Sequence, residues 1–239
     1  MNLESARVMR VDDQLALAVC SSEQGRDLWR WRMNSTQFVS GSRSKSGVDE
    51  FEPSSLKDIH EFCNQLWRNQ AYRQGETVVV CAGTTSREIT ETALLVGSFM
   101  IICNDVDPGD VDTAFHPISS RFIPYSDQLT LANCWDALHH ASAHCGWLSP
   151  ETKHFLSPHP RNPVALDMRE YLHYDSPLNG SFHAIVPDQL LVFDCPADLP
   201  DGRAWADAGG ERRFSAAYYA DVFGDFGVRV VVRCGGAGP

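Results

Sequence analysis

A cysteine and an arginine, six positions apart, stand between a strand-like and a helix-like stretch of the sequence. Cys81 follows the β-branched run Thr77–Val80, and Arg87 comes just before the long apolar segment Thr90–Cys103. A loop between a strand and a helix N-terminus points successive backbone N–H groups into one concavity, which suits a phosphate group. The helix dipole favours a thiolate there, and an arginine can bind two phosphate oxygens. These residue types predict thiolate attack on a phosphate ester, with an acid that protonates the leaving oxygen.

The spacing of the two residues does not establish this chemistry, because Cys20 and Arg26 are also six positions apart. The strand pattern before Cys81 and the helix pattern after Arg87 favour the pair Cys81 and Arg87 and leave Cys20 and Arg26 as a coincidence. The pair Cys81 and Arg87 still departs from an active loop, since Val80 takes the place of the usual histidine before the cysteine.

Two interpretations of the Cys81 segment are therefore open. In the first, Cys81 is a buried thiol and Arg87 a helix N-terminal residue in a loop without catalytic function. In the second, Cys81 is the nucleophile, Arg87 clamps the phosphate, and Asp49 or Glu50 is the general acid. The missing histidine favours the first, and so does Gly83, which comes one position before the customary glycine.

The first half of the chain alternates strand-like and helix-like patterns, which is typical of an α/β domain. Apolar residues recur at three- and four-residue steps over Leu56–Trp67, and Ser54 or Ser55 precedes them as a natural N-cap. A proline-bearing loop is expected at Phe115–Asp127. The other predicted elements are strands at Leu15–Cys20, Leu28–Val39 and Thr77–Val80 and helices at Thr90–Cys103 and Leu129–His144.

The second half reads as a shorter set of elements that does not close a sheet. The proline-rich stretch Ser157–Pro163 resembles a linker, and Asn179-Gly180 forms a turn. We expect apolar surface to be exposed between Ile185 and Val232, unless this part folds back on the first domain. The predicted elements are helices at Leu166–Tyr174 and Ala216–Phe226 and strands at Ile185–Phe193 and Val228–Val232.

Composition argues against several classes of function. Thirty-one acidic residues against 20 basic ones give a net charge of −11, which is the wrong sign for neutralising nucleic-acid phosphates. The longest apolar run, Ala93–Cys103, is too short for a bilayer, which needs about 20 residues. Without a signal-peptide pattern, we expect an intracellular protein of the cytoplasm or nucleus, whose eight cysteines are free thiols.

A group of histidines and cysteines on one predicted helix raises the question of a metal. His140 and His144 have the i,i+4 spacing of a zinc-binding pair, and Cys145 follows directly. No second set of ligands lies close in the sequence, so solvated helix histidines are the preferred interpretation. We expect neither a metal nor a cofactor.

Several short motifs, in order and at matching distances, resemble the dual-specificity protein phosphatases of the cell-division-cycle-fourteen type, which act in mitotic exit. The resemblance runs from about Phe51 to Cys234. It is carried by Phe51-Glu-Pro, Ala93-Leu-Leu-Val-Gly-Ser-Phe, Phe122-Ile-Pro-Tyr-Ser-Asp127, Glu170-Tyr-Leu-His-Tyr174, Asn179-Gly-Ser-Phe182, Ile185-Val-Pro187, Ala217-Tyr-Tyr and Val230-Val-Val-Arg233.

The resemblance implies two phosphatase-like domains in tandem, each with a central, mostly parallel sheet flanked by helices. The first domain (1–163) is non-catalytic and shapes the substrate groove, 164–181 forms a linker helix region, and 182–239 is the incomplete start of the catalytic domain. The family's His-Cys-x-x-Gly-x-Gly-Arg loop is not found in these 239 residues, so the chain is either a degenerate or partial member or a truncated gene model.

The resemblance also implies a class of partner. The family prefers phosphoserine followed by proline with basic residues beyond, which an acidic groove between the domains binds. The matching acids are Asp127, Glu170 and Asp175, whereas Leu172 stands where the family tends to place another acid. We therefore expect phosphoprotein substrates as partners, and neither nucleic acid nor a membrane.

Overall fold

In the described residues of the first half, β1 (Arg7–Arg10), β2 (Leu15–Val19), β3 (Thr36–Phe38) and β4 (Val78–Ala82) form a four-stranded sheet. The strand order is β1–β2–β4–β3. β2 runs antiparallel to β1 and parallel to β4, and β3 is parallel to β4. The computed structural model describes residues 7–20, 36–38, 54–122, 129–144, 168–186 and 189–234, and the chain divides into two units, residues 1–166 and 167–239.

The described part of the first unit contains five helices, so the predicted mixed α/β class is confirmed. The predicted N-cap of the first helix is also confirmed, since the Ser55 hydroxyl accepts a hydrogen bond from the Asp58 N–H at 3.2 Å. The Asp58 carboxylate in turn accepts one from the Ser55 N–H at 3.1 Å, which completes a capping box. The helices are α1 (Leu56–Trp67), α2 (Gln70–Arg73), α3 (Ser86–Asn104), α4 (Pro108–Phe122) and α5 (Leu131–Ala143).

The predicted loop at Phe115–Asp127 is wrong over its first part, because α4 continues to Phe122. Pro108 is tolerated because it is the first residue of this helix, where its missing N–H would have no helical partner. Val111 and Phe115 are fully buried on one face, four residues apart. This packing fixes the helix as far as Phe115, and the helix continues through Pro117, which was expected to lie in a loop. Residues 123–128 lie outside the described part of the chain.

Helix α3 is the centre of the first unit. Every residue from Ile89 to Ile102 is buried, as expected for a helix with neighbours on all sides. It packs against α1, α4, α5 and β4. Because α3 begins four residues after β4 ends, this packing also holds the strand-to-helix segment of Cys81 and Arg87 in place.

The second unit is built from two hairpins and two α-helices in its described part. Strands β5 (His183–Val186) and β6 (Leu190–Val192) are antiparallel, as are β7 (Trp205–Ala208) and β8 (Glu211–Phe214). Aromatic rings form the core, with Phe193, Phe214 and Phe223 around Tyr219 at centroid distances of 4.8–5.8 Å. The helices are α6 (Met168–Asp175) and α7 (Ala216–Asp225).

Two strand predictions in this unit are wrong. The single strand expected at Ile185–Phe193 is two paired strands, β5 and β6. The strand expected at Val228–Val232 is absent, since these residues are described and have no strand conformation. A strand requires a neighbour for its N–H and C=O groups, and the side chains of Val230, Val231 and Val232 are exposed, Val230 by 76%. The apolar exposure expected after Ile185 is therefore present.

The hydroxyl of Tyr219 is expected to make the second unit sensitive to alkaline pH. It is buried without a hydrogen-bond partner among the described residues, and burial raises the pKa of Tyr219 to about 12, above its ordinary value of 10. Between these values the unfolded chain loses the proton first, so stability falls as the pH rises from about 10 to about 12. Urea denaturation across this pH range should show a smaller fall in the free energy of unfolding for Tyr219→Phe than for the native chain.

The matched control for this prediction is Tyr218→Phe, on the same helix and half-buried. If the control and Tyr219→Phe change the alkaline loss equally, the assignment to Tyr219 is wrong. Below pH 9, Tyr219→Phe should be as stable as the native chain or more stable, because it removes a buried hydroxyl without a partner.

Candidate functional site

The segment predicted to carry chemistry starts in the middle of the first unit's sheet. Cys81 is the fourth residue of β4, opposite Ala18 of β2 on one side and Phe38 of β3 on the other. Only 3% of the cysteine is exposed. The strand therefore holds Cys81 inside the sheet layer rather than at an open strand end.

The Cys81 thiol is held in its protonated form by its neighbour Cys20. The two side chains are hydrogen-bonded, and this bond, together with burial, raises the pKa of Cys81 far above its ordinary value. The same contact lowers the pKa of Cys20. A catalytic thiolate needs the opposite shift at the nucleophile. At neutral pH the sulfur of Cys81 is consequently a poor nucleophile.

In the loop between β4 and α3, the Glu88 carboxylate lies at the N-terminus of the helix. Thr85 is the N-cap of α3, and its hydroxyl accepts the Glu88 N–H at 3.2 Å. The Glu88 carboxylate accepts from the Thr85 N–H at 3.1 Å and from its hydroxyl at 2.7 Å. A Cβ placed on Gly83 would lie within 2.5 Å of this carboxylate. Glu88 therefore lies over Gly83 and takes the helix N-terminal N–H that a phosphate would need.

Arg87 is directed at another carboxylate. Its Nε lies 2.8 Å from Oε1 of Glu91, one turn further along α3, and the Glu91 side chain is only 10% exposed. The guanidinium thus has a negative partner in the protein, and a phosphate would have to compete with it. Together, Glu88 and Glu91 make the end of this loop negative where an anion would bind.

The remaining predicted residues fall into two groups. Asp49 and Asp127 lie outside the described residues, as does the alternative acid Glu50. Glu170 and Asp175 lie on α6 of the second unit, and both are exposed.

The structure brings Asp175 together with Tyr171 and His183, neither of which is among the predicted site residues. Oδ1 of Asp175 lies 3.3 Å from Nε2 of His183, and the ring of His183 stacks on Tyr171 at 5.1 Å. Burial raises the pKa of Tyr171, and its hydrogen bond and proximity to Asp175 raise it further. The spacing of Tyr171 and Asp175 along one helix was visible in the sequence, whereas the contact with His183 depends on the turn at Gly180.

Neither a metal site nor a membrane span is found in the described residues. No group of three or more histidine, cysteine, aspartate or glutamate side chains there is arranged to hold a metal ion. The rings of His140 and His144 are neighbours at 4.5 Å. Within the same ranges, no helix combines the length and apolar character needed to cross a bilayer.

Comparison with known proteins shows that this chain is similar to dual specificity protein phosphatases. Residues 44–141 match the family model "Dual specificity protein phosphatase, N-terminal half". The mouse dual specificity protein phosphatase CDC14B is 24% identical over 196 residues, which cover 77% of this chain and 36% of that protein. The human CDC14C protein is 24% identical over 200 residues, covering 77% of this chain and 39% of that protein.

The chain thus spans little more than a third of the length of these curated relatives. A solved structure titled "Crystal structure of Tk-PTP in the active form" matches 56% of this chain and 96% of its own, at 11% identity and a TM-score of 0.36. The matched residues include the whole segment from Cys81 to Glu91. Residues 44–141 therefore match the N-terminal half of the dual specificity protein phosphatases, and over 77% of its length the chain is similar to relatives of the CDC14 type.

Proposed function

We propose that this chain is a non-catalytic, substrate-docking part of a mitotic-exit type dual-specificity phosphatase. In this proposal residues 1–163 are a phosphatase-like domain without turnover, 164–181 a linker helix region, and 182–239 the beginning of a catalytic domain. Its partners are phosphoproteins in the cytoplasm or nucleus.

The observation that carries the proposal is the state of the Cys81 loop. Its cysteine is buried and protonated, its arginine contacts Glu91, and its helix N-terminus is capped by Glu88. A phosphate dianion entering this loop would meet the carboxylates of Glu88 and Glu91, which already accept hydrogen bonds from Thr85 and Arg87. Like charges at such short range in a partly buried site disfavour binding strongly. The loop is thus suited to a structural role.

The turnover test uses the purified chain with p-nitrophenyl phosphate and with phosphoserine–proline peptides. We expect the same rate for the native chain and for Cys81→Ser, with both at the level of the buffer blank. Turnover that Cys81→Ser abolishes would refute the proposal. It would support an active phosphatase with Cys81 as nucleophile, Arg87 as phosphate clamp and Asp49 as acid.

The docking part of the proposal assigns Asp127, Glu170 and Asp175 to the basic residues that follow phosphoserine–proline. Two of these acids are exposed on α6, and Oδ1 of Asp175 lies 3.3 Å from Nε2 of His183. Each exposed carboxylate should contribute modestly, by about 0.2–1 kcal/mol, because water screens such pairs. The interaction should weaken as salt is added.

Fluorescence anisotropy with a labelled phosphoserine–proline peptide, with and without two following lysines, tests this docking. Glu170→Gln should weaken binding of the lysine peptide up to about 5-fold and leave the lysine-free peptide unchanged. The control is Asp221→Asn, an exposed acid on α7 of the same unit. Equal effects of both substitutions on the lysine peptide would rule out a defined acidic groove.

A further inference from the structure

A histidine lies against one of the acids that the proposed docking function uses. Nε2 of His183 is 3.3 Å from Oδ1 of Asp175. The His183 side chain is 19% exposed, whereas the Asp175 side chain is 43% exposed. A binding partner can therefore reach the carboxylate while the imidazole stays beside it.

The turn between α6 and β5 fixes this contact. Asp175 is the last residue of α6, and His183 is the first residue of β5. Just before each of them, the Phe182 N–H donates to the Tyr174 carbonyl at 2.9 Å. Gly180 makes the return possible, because its φ of +83° is a conformation that other residues rarely adopt. The backbone thus returns His183 to the end of α6.

The groups that face His183 come from the two elements packed against β5, which are α6 and β6. From α6, the ring of Tyr171 stacks on the imidazole at a centroid distance of 5.1 Å and an interplanar angle of 29°, and Asp175 supplies the carboxylate. From β6, Val192 lies opposite His183 and carries no charge. The stacked phenol holds the imidazole ring in place, so that Nε2 stays near the carboxylate.

We propose that His183 is a positioning residue that controls whether Asp175 can bind a basic residue of the substrate. This inference rests on the proposed docking function. Histidine is the side chain whose charge changes between about pH 5 and pH 8. Neutral His183 leaves the carboxylate its full negative charge and can hold it by a hydrogen bond from Nε2–H. Protonated His183 places a positive charge at the same distance, so a lysine or arginine meets a compensated pair.

The test measures how much two lysines after the phosphoserine–proline pair improve peptide binding to the purified chain. Fluorescence anisotropy gives the Kd of the lysine peptide and of the lysine-free peptide at about pH 5.5 and at about pH 8. The ratio of the two Kd values is the lysine preference. Both peptides carry the same phosphate, so titration of the phosphate cancels in this ratio. We expect the preference to be about 2- to 5-fold larger at the higher pH, the size of an exposed ion pair.

Three variants assign the pH dependence. His183→Gln cannot take up a proton in this range, so its lysine preference should be the same at both pH values. Asp175→Asn leaves the histidine in place and should show, at both pH values, the lower preference that the native chain has at about pH 5.5. The matched control is His173→Gln, because His173 is also on α6 but its ring contacts Asn179 and Tyr174. This control should keep the native pH dependence.

The outcomes separate this inference from the docking function. An equal pH dependence in the native chain and in His183→Gln overturns the role of His183 and leaves the docking function in place. A native lysine preference that does not change with pH has the same consequence. If the native chain shows no lysine preference at about pH 8, the docking function is refuted, and the role of His183 with it.

Discussion

Replacing Trp135 with alanine is expected to lower the free energy of unfolding of the first unit by about 3–5 kcal/mol. The indole is completely buried and lies 5.4 Å from the ring of Phe115. Its Nε1 donates to the Leu94 carbonyl at 3.3 Å, which ties α5 to α3. Removing it leaves a large cavity between three helices, and rigid helix backbones collapse only partly into such a space. Urea denaturation followed by far-UV circular dichroism measures the loss.

The control for Trp135 is the exposed Trp205 in the second unit. Trp205 is 49% exposed and contacts Arg212, whose guanidinium lies 5.6 Å from the ring centroid. Trp205→Ala should therefore cost only about 0.5–1 kcal/mol, the value of an exposed cation–π contact. Similar losses for the two substitutions would show that the α3–α5 contact is not a principal source of stability.

Gly97→Ala is expected to destabilise the first unit by about 1–3 kcal/mol. An alanine normally stabilises a helix by about 1 kcal/mol relative to glycine. At this position, however, the added Cβ would lie 2.5–2.6 Å from three atoms of the Trp135 indole. The steric cost outweighs the helix propensity, because the buried indole has no room to move away. Equilibrium urea denaturation again provides the measurement.

Gly224 supplies a control of opposite sign. It lies in helix α7, and a Cβ there would meet no atom within 4 Å, so Gly224→Ala should raise stability by up to about 1 kcal/mol. Combining Gly97→Ala with Trp135→Phe should recover part of the loss, because the smaller ring leaves space for the methyl group. A stabilising Gly97→Ala would contradict the close approach of α3 and α5.

These two contacts bear on function through the position of α3. This helix starts at the candidate loop and runs through the centre of the first unit, where Gly97 lets Trp135 approach. Loss of the packing would release the segment that holds Glu88 over Gly83 and Glu91 beside Arg87. A destabilised variant that gained phosphate affinity would thus be consistent with a loop closed by its own carboxylates.

Local patterns in the sequence were sufficient for several elements, because their causes lie within a few residues. The N-cap at Ser55, the helix behind it and the strand from Leu15 all depend on neighbours in the chain. Thr85 and Glu88 also carried a capping-box signature, which would have placed the start of α3 at Ser86 instead of Thr90. The same signature predicts that the Glu88 carboxylate lies at the start of α3, where a phosphate would otherwise bind.

Other features depended on which residues meet across the fold. Cys20 and Cys81 are 61 positions apart, and only the parallel pairing of β2 with β4 brings their sulfur atoms together and keeps Cys81 protonated. Val228–Val232 has the composition of a strand, but hydrogen bonding to a neighbour, rather than composition, makes one. Local propensity thus determined which strand and which helix carry Cys81 and Arg87. Long-range burial and pairing decided that the thiol among them is inert, because a pKa depends on the charges and hydrogen bonds that the fold places around it.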